Sequence, residues 1–119
     1  MIERLEIYLR QMATAASDAC DFVRTMDEDT FLKDVRTQRA VGMSLVILGE
    51  AVSRIARDYP ELLAEHQNIA WNEMQGMRDR LAHGYFDMDL GILWRTTQQS
   101  LPELLEELHA LRNWRAQGE

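Results

Sequence analysis

Apolar residues recur along this chain with a helical period. Nowhere do they alternate with polar residues over a run bounded by turn residues, so the pattern predicts helices and no strands. In the first segment Ile2, Leu5, Leu9, Met12, Ala16, Ala19, Val23 and Met26 follow one another at alternating steps of three and four. That rhythm averages about 3.5 residues, the period of a long helix packed at a shallow angle in a bundle. The acidic stretch Asp27–Thr30 ends it, and Asp29 or Thr30 can cap a second helix starting near Phe31.

The second helix carries Val41, Leu45, Leu48, Val52, Ile55 and Tyr59 on one stripe and Ala40, Met43, Ile47 and Ala51 on another. Its middle is apolar nearly all round, which predicts the central helix of the bundle. Gly42 and Gly49 lie seven residues apart on one face. Glycine there costs helix stability, and close approach of a neighbouring backbone is the expected compensation. Pro60 stops this helix, because the residue before a proline disfavours the helical region. Residues 61–68 read as a polar connection.

A shorter helix follows through Ala70, Met74, Met77 and Leu81, with Gly84 as its expected C-terminal cap. Asp87 or Asp89 then caps a last segment holding Leu90, Leu93, Thr97, Leu101, Leu104, Leu108 and Leu111 in register. Pro102 falls inside it. The segment either kinks there or divides, with Ser100 capping a separate last helix. The expected fold is all-α: an up-and-down antiparallel four-helix bundle, or one of five helical pieces, in a single domain over residues 1–119.

Length and composition agree. A chain of 119 residues with 46% apolar residues suits one domain with a real core. The longest apolar run, Val41 to Gly49, is far short of the roughly 20 residues needed to cross a bilayer. The opening MIERLEIYLR has charges inside its apolar pattern, unlike a secretory signal. A lone cysteine, Cys20, excludes a disulfide framework and fits a reducing, cytoplasmic setting. The net charge of -7 argues at first against a nucleic-acid partner.

Candidate chemistry concentrates in MRDRLAHGYFDMD, residues 77–89, where Arg78 is followed after four residues by His83 and then by Tyr85. Twelve arginines and three histidines in a chain of this length produce such a pair by chance, so spacing alone decides nothing. Context adds more. His83 falls in the last turn of its helix, beside carbonyls carrying partial negative charge, which suits a proton donor. Arg78 sits about a turn and a half upstream, so its guanidinium can reach over the helix end. Tyr85 follows the glycine, where the chain turns. An anion binder, an acid/base group and a hydroxyl are therefore expected to converge on one helix terminus.

This stretch resembles the Arg-x4-His-x-Tyr motif of the HEPN domain family, in its HepT-like toxin branch. LGEAVSRIARDYPE (Leu48 to Glu61) is similar to that branch's central-helix ending. AWNEMQGMRDRLAHGYFDMDLGILW (Ala70 to Trp94) is similar to its motif helix and the start of its last helix, and SLPELLEEL to its Leu-Pro segment. One departure is Asp79, where the family often has asparagine after the motif arginine. The resemblance implies an all-helical homodimer whose two motifs face a shared cleft. It implies a metal-independent endoribonuclease that is the toxin of a type VII (HEPN/MNT) toxin–antitoxin pair. Its antitoxin would be a minimal nucleotidyltransferase that adds AMP to the motif tyrosine. Carried over, Arg78 and His83 are the ribonuclease pair and Tyr85 the modified residue. A different class of function, a non-catalytic helical module that binds a nucleotide or a nucleotidyltransferase, stands as the alternative.

With RNA in view the charge looks different. Residues 31–57 sum to +3 and residues 70–86 to zero, while 1–30, 58–69 and 87–119 carry -4, -3 and -3. The expectation is a locally positive cleft on an acidic body, with Arg36, Arg39 and Arg80 as candidate RNA contacts. Glu50, in the apolar middle of the second helix, needs a partner, and Arg54 on the same face is the expected one. That pair is read as structural, or as a support beside the cleft. His66 and His109 read as solvent-facing, Cys20 as small packing, and Trp71, Trp94 and Trp114 as core or interface anchors. The histidines show no metal-ligand spacing, so neither a metal nor another cofactor is expected.

Overall fold

The computed structural model describes residues 3–118. Among them lie four long helical stretches: α1 (Arg4–Phe22), α3 (Val35–Asp58), α5 (Trp71–Gly84) and the run formed by α6 (Leu90–Arg95) and α7 (Leu101–Gly118). Short helices α2 (Glu28–Lys33) and α4 (Pro60–Glu65) sit in the connections, and no strand occurs among the described residues. α5 packs on α3, α3 on α1, and α1 on α7.

The helices run antiparallel. The Tyr8 hydroxyl near the start of α1 donates to Asp58 at the end of α3, at 3.3 Å. Arg112 Nε near the end of α7 donates to Glu6 at 3.0 Å. The four-helix bundle expected from the apolar pattern is thus the observed architecture.

The core follows the predicted stripes. Leu5, Leu9, Met12, Ala16, Ala19 and Val23 of the first segment are buried, as are Val41, Leu45, Leu48, Val52 and Ile55 of α3. Leu93, Thr97, Leu101, Leu104, Leu108 and Leu111 complete it from the last helix. Ile2 lies outside the described residues. The second stripe of α3 behaves differently from expectation. Ala51 is buried, but Met43 is 58% and Ile47 44% exposed, so one flank of the central helix is uncovered.

Several boundaries shift, each for a local reason. Asp27, rather than Asp29 or Thr30, caps the helix after α1: its carboxylate accepts from the Thr30 amide at 2.8 Å. That helix is the short α2, and Asp34 then caps α3 by accepting from the Thr37 amide at 3.0 Å. Both cap bonds hold their carboxyls below the usual value. Pro60 stops α3 as predicted, yet it also starts α4 from the first helical position, where its missing N–H is no loss. The supposed polar connection is therefore partly helical. Of the two caps expected for the last segment, Asp89 is the one that caps α6, accepting from the Gly91 amide at 2.8 Å.

Pro102 neither divides the last helix nor leaves an ordinary helical turn before it. Helical backbone runs from Leu90 to Gly118, with one wide π turn at Thr96–Ser100. The Leu101 amide reaches back to the Thr96 carbonyl, one residue further than in an α-helix. A proline here would otherwise press its ring on the carbonyl of Gln98, and the wider turn makes room.

Candidate active site

Two glycines of α3 set how the motif helix lies. A Cβ added at Gly49 would stand 2.2 Å from the Cβ of Arg78, and one at Gly42 would stand 3.1 Å from Cε1 of Tyr85. The close backbone approach expected is present at Gly49, where the Met74 carbonyl oxygen would lie 3.0 Å from the added Cβ, whereas at Gly42 the neighbour is a side chain, the Tyr85 ring. The two glycines are two turns apart, about 10 Å along α3. The motif is therefore stretched along α3, with Arg78 over Gly49 and Tyr85 over Gly42, and it is not gathered at one point.

Arg78 is anchored across this seam. Its Nε donates to Glu50 Oε1 at 3.0 Å, its Nη2 donates to the same oxygen, and its Nη1 donates to Asp79 Oδ1 at 2.9 Å. This overturns two expectations. The partner of Glu50 is Arg78, not Arg54, which is exposed. Gly49 brings α5 closest beside Glu50, so a cross-helix guanidinium meets the carboxylate. The Arg78 side chain also turns toward α3 instead of reaching over the helix end. The Asp79 carboxylate first, and Glu50 second, raise Arg78 still further above its ordinary value, so it is a fixed cation. A guanidinium has five N–H donors. Three are engaged here, leaving one on each Nη for an anion's oxygens.

His83 occupies the last turn of α5, as expected, and is exposed. It lies five positions after Arg78, which places the two side chains about 140° apart around the helix. Gly84 ends the helix without a left-handed cap: its φ is -158°, and no described residue has positive φ. The chain instead tightens into a single 3-10 turn, Tyr85–Asp87. This turn folds the Tyr85 ring onto α3, where its hydroxyl is buried without a hydrogen-bond partner.

The three candidate RNA contacts are all exposed. Arg39 lies with its guanidinium carbon 5.9 Å from the centre of the Phe86 ring, which brings α3 to the motif end. Arg36 is one turn earlier on α3. Arg80 lines a shallow depression with Gly84, Asp87, Met88, Asp89 and Ile92.

Phe86 itself was passed over in the sequence. Its one signal there was an aromatic outside every apolar stripe. His66 also differs from expectation, being half-buried with its ring edge-on to Trp114 at 5.5 Å. Trp71 is a buried anchor whose indole N–H donates to the His66 carbonyl at 2.9 Å. Cys20 is partly buried, and burial pushes its thiol up, away from nucleophilic use. Among the described residues no group of three or more His, Cys, Asp or Glu could hold a metal ion. No described helix is long and apolar enough to cross a membrane.

A family model described as "Ribonuclease HepT-like" matches residues 12–111, which include both α3 and the whole motif. The chain belongs to the HepT-like ribonuclease family. Among similar curated proteins, "Probable ribonuclease HepT" of Thermococcus cleftensis is 39% identical, over 88% of this chain and 93% of its own length. Proteins carrying RNase names from Methanocaldococcus jannaschii and Caldanaerobacter subterraneus are 32% and 33% identical, over 87% and 85% of this chain. No solved structure gives a significant match. In this HepT-like chain the matched span holds both the arginine anchored to Glu50 and the exposed histidine at the helix end.

Proposed function

We propose that this HepT-like ribonuclease is a metal-independent endoribonuclease that cuts RNA with Arg78 and His83. The observation that carries the reading is the Arg78 anchorage. Glu50 and Asp79 hold the guanidinium at a fixed place and leave two of its donors unengaged, an arrangement suited to a phosphoryl group. RNA supplies its own nucleophile, since a 2′-OH can attack the adjacent phosphate. The enzyme must remove that proton, deliver one to the departing 5′-oxygen, and stabilise charge on phosphorus. An exposed imidazole can move the protons, and the free edge of Arg78 can bear the charge. Glu50 acts through Arg78 as a positioning residue, Arg36 and Arg80 meet flanking phosphates, and Arg39 meets the RNA at the motif end.

One histidine cannot readily serve as base and acid together. A homodimer with two copies of His83 in one cleft removes that difficulty. The uncovered flank of α3, with Met43 and Ile47 exposed, supports such pairing, because apolar side chains at helical spacing on one face favour burial against another surface. The same 140° offset supports it too, since Arg78 and His83 of one chain face different ways.

The toxin role and control by a nucleotidyltransferase antitoxin belong to the same reading. AMP on Tyr85 would add bulk and negative charge at the motif end, opposing RNA phosphates. The buried Tyr85 hydroxyl means its ring must leave the Gly42 seat before it can be modified. Intact-mass measurement after coexpression with a minimal nucleotidyltransferase tests this. Wild type should gain whole AMP increments and Tyr85→Phe none. Equal labelling of both would place the modification elsewhere. Expression without the partner should arrest growth, and Arg78→Ala or His83→Ala should relieve the arrest.

A further inference from the structure

Phe86 is the most exposed large apolar side chain among the described residues, at 87%. Most aromatic rings are drawn into cores or interfaces, so a ring left in water at the end of a motif helix calls for a use. The ring is nevertheless held in place. Tyr85, seated on Gly42, meets it edge-on with ring centres 5.7 Å apart and planes at 78°. The Arg39 guanidinium approaches from α3 to 5.9 Å, within cation–π range. Both neighbours steady Phe86, and neither covers it.

Its position is also specific. It lies three positions after His83, so the two Cα atoms are within about 11 Å. His83, Phe86 and Asp87 are all exposed along this short stretch. An unpaired nucleotide whose phosphate sits at the motif can therefore lay its base on the ring. Proteins that take single-stranded RNA use such pieces: an aromatic face for the base, and a guanidinium that adds stacking and charge.

We propose that Phe86 and Arg39 form a nucleobase platform that stacks an unpaired RNA base beside the scissile phosphate. This rests on the ribonuclease reading above and adds its substrate form: a single-stranded site. A benzene ring carries no donor or acceptor to read base edges, so the platform selects unpaired over paired nucleotides and discriminates little among the four bases.

The test uses the full chain, a single-stranded oligoribonucleotide, its duplex, and a copy lacking the base next to the cleaved phosphate. Phe86→Ala should lower kcat/KM on the single strand by about 5- to 150-fold, the span observed for losing one stacked base. Phe86→Trp should retain activity, and Phe86→Leu should fall with alanine, since it keeps apolar area without the π-face. The abasic substrate should lose as much with wild type and nothing further with Phe86→Ala, because both remove the same contact. Wild type should cut the duplex poorly. Unchanged cleavage by Phe86→Ala, or full activity in Phe86→Leu, overturns the platform while leaving the ribonuclease reading intact. A shift of Phe86→Ala to monomer in sedimentation also overturns it, making the ring a subunit contact. Wild type that cuts no RNA removes the ribonuclease reading and the platform with it.

Discussion

Replacing Gly49 by alanine should unseat the motif helix, although alanine is the better helix former. The added Cβ would lie 2.2 Å from the Arg78 Cβ, 2.8 Å from its Cγ and 3.0 Å from the Met74 carbonyl oxygen. Carbon–carbon contact needs about 3.5 Å, so α5 must retreat by roughly 1.3 Å. No rotamer relieves the overlap, because a Cβ and a backbone oxygen move only with their helix. Overpacking of this kind costs about 1–3 kcal/mol, against a propensity gain of up to about 1 kcal/mol. The overlap with two fixed atoms argues for the upper part of that range, so the net loss should be near 2 kcal/mol. For a domain of this size that corresponds to a fall in Tm of roughly 8 °C. Gly76 is the control. A Cβ there meets nothing within 4 Å, so Gly76→Ala should gain about 1 kcal/mol and raise Tm by roughly 4 °C. Thermal unfolding followed by circular dichroism reads both. If the two variants shift Tm in the same direction, the close α3–α5 seam is wrong.

Other substitutions probe separate contacts. Glu50→Ala leaves Arg78 only its Asp79 bond and should cut kcat/KM by about 10- to 100-fold, the scale of a misplaced catalytic group, while Glu50→Gln keeps an acceptor and loses less. A pH–rate profile unchanged in shape would show that the loss is positional, and no loss in Glu50→Ala would refute the anchorage. Tyr85→Phe removes a buried, unpaired hydroxyl and should stabilise by about 1 kcal/mol in denaturant unfolding, whereas destabilisation would mean the hydroxyl has a partner. Burial first, and the Glu103 charge second, raise Glu107 above its ordinary value. Its contribution is thus present at acid pH and lost as pH rises through the raised value, so Glu107→Gln should raise Tm at neutral pH and change it little below about pH 4. The cap carboxylates Asp27 and Asp34 have the opposite sign. Their contribution is present above the ordinary value and fades as pH falls through the lowered one, so Asp34→Ala should flatten the acid limb of the Tm–pH curve.

Much of the bundle was legible because helix burial is periodic. The stripes from Leu5 to Val23 and from Leu93 to Leu111 describe the core almost residue by residue. Gly42 and Gly49 announced a close approach because glycine has no other reason to recur on one face of a central helix. The remaining features depend on the partner across a seam. Spacing within α3 proposed Arg54 for Glu50, since sequence offers only same-helix neighbours, whereas α5 delivered Arg78 to the same carboxylate. The cap near Thr30 shifted because three acids compete there, and only a backbone path shows which one reaches an amide. Pro102 left a choice between a kink and a division, and the helical backbone that continues through the π turn excludes the division. Phe86 stayed invisible because exposure is a property of the surface, and no stripe contains it.

If Arg78 and His83 cut RNA without a metal, the purified chain needs no added ion to do so. Cleavage of a fluorogenic single-stranded RNA by the purified chain in EDTA tests it most directly. Wild type should cleave. His83→Ala should be slower by about 100- to 10,000-fold and Arg78→Ala by about 100- to 1,000-fold, with folding verified by circular dichroism. Cleavage that disappears in EDTA would show a metal requirement, and cleavage that persists at the wild-type rate in either variant would remove that residue from the reaction.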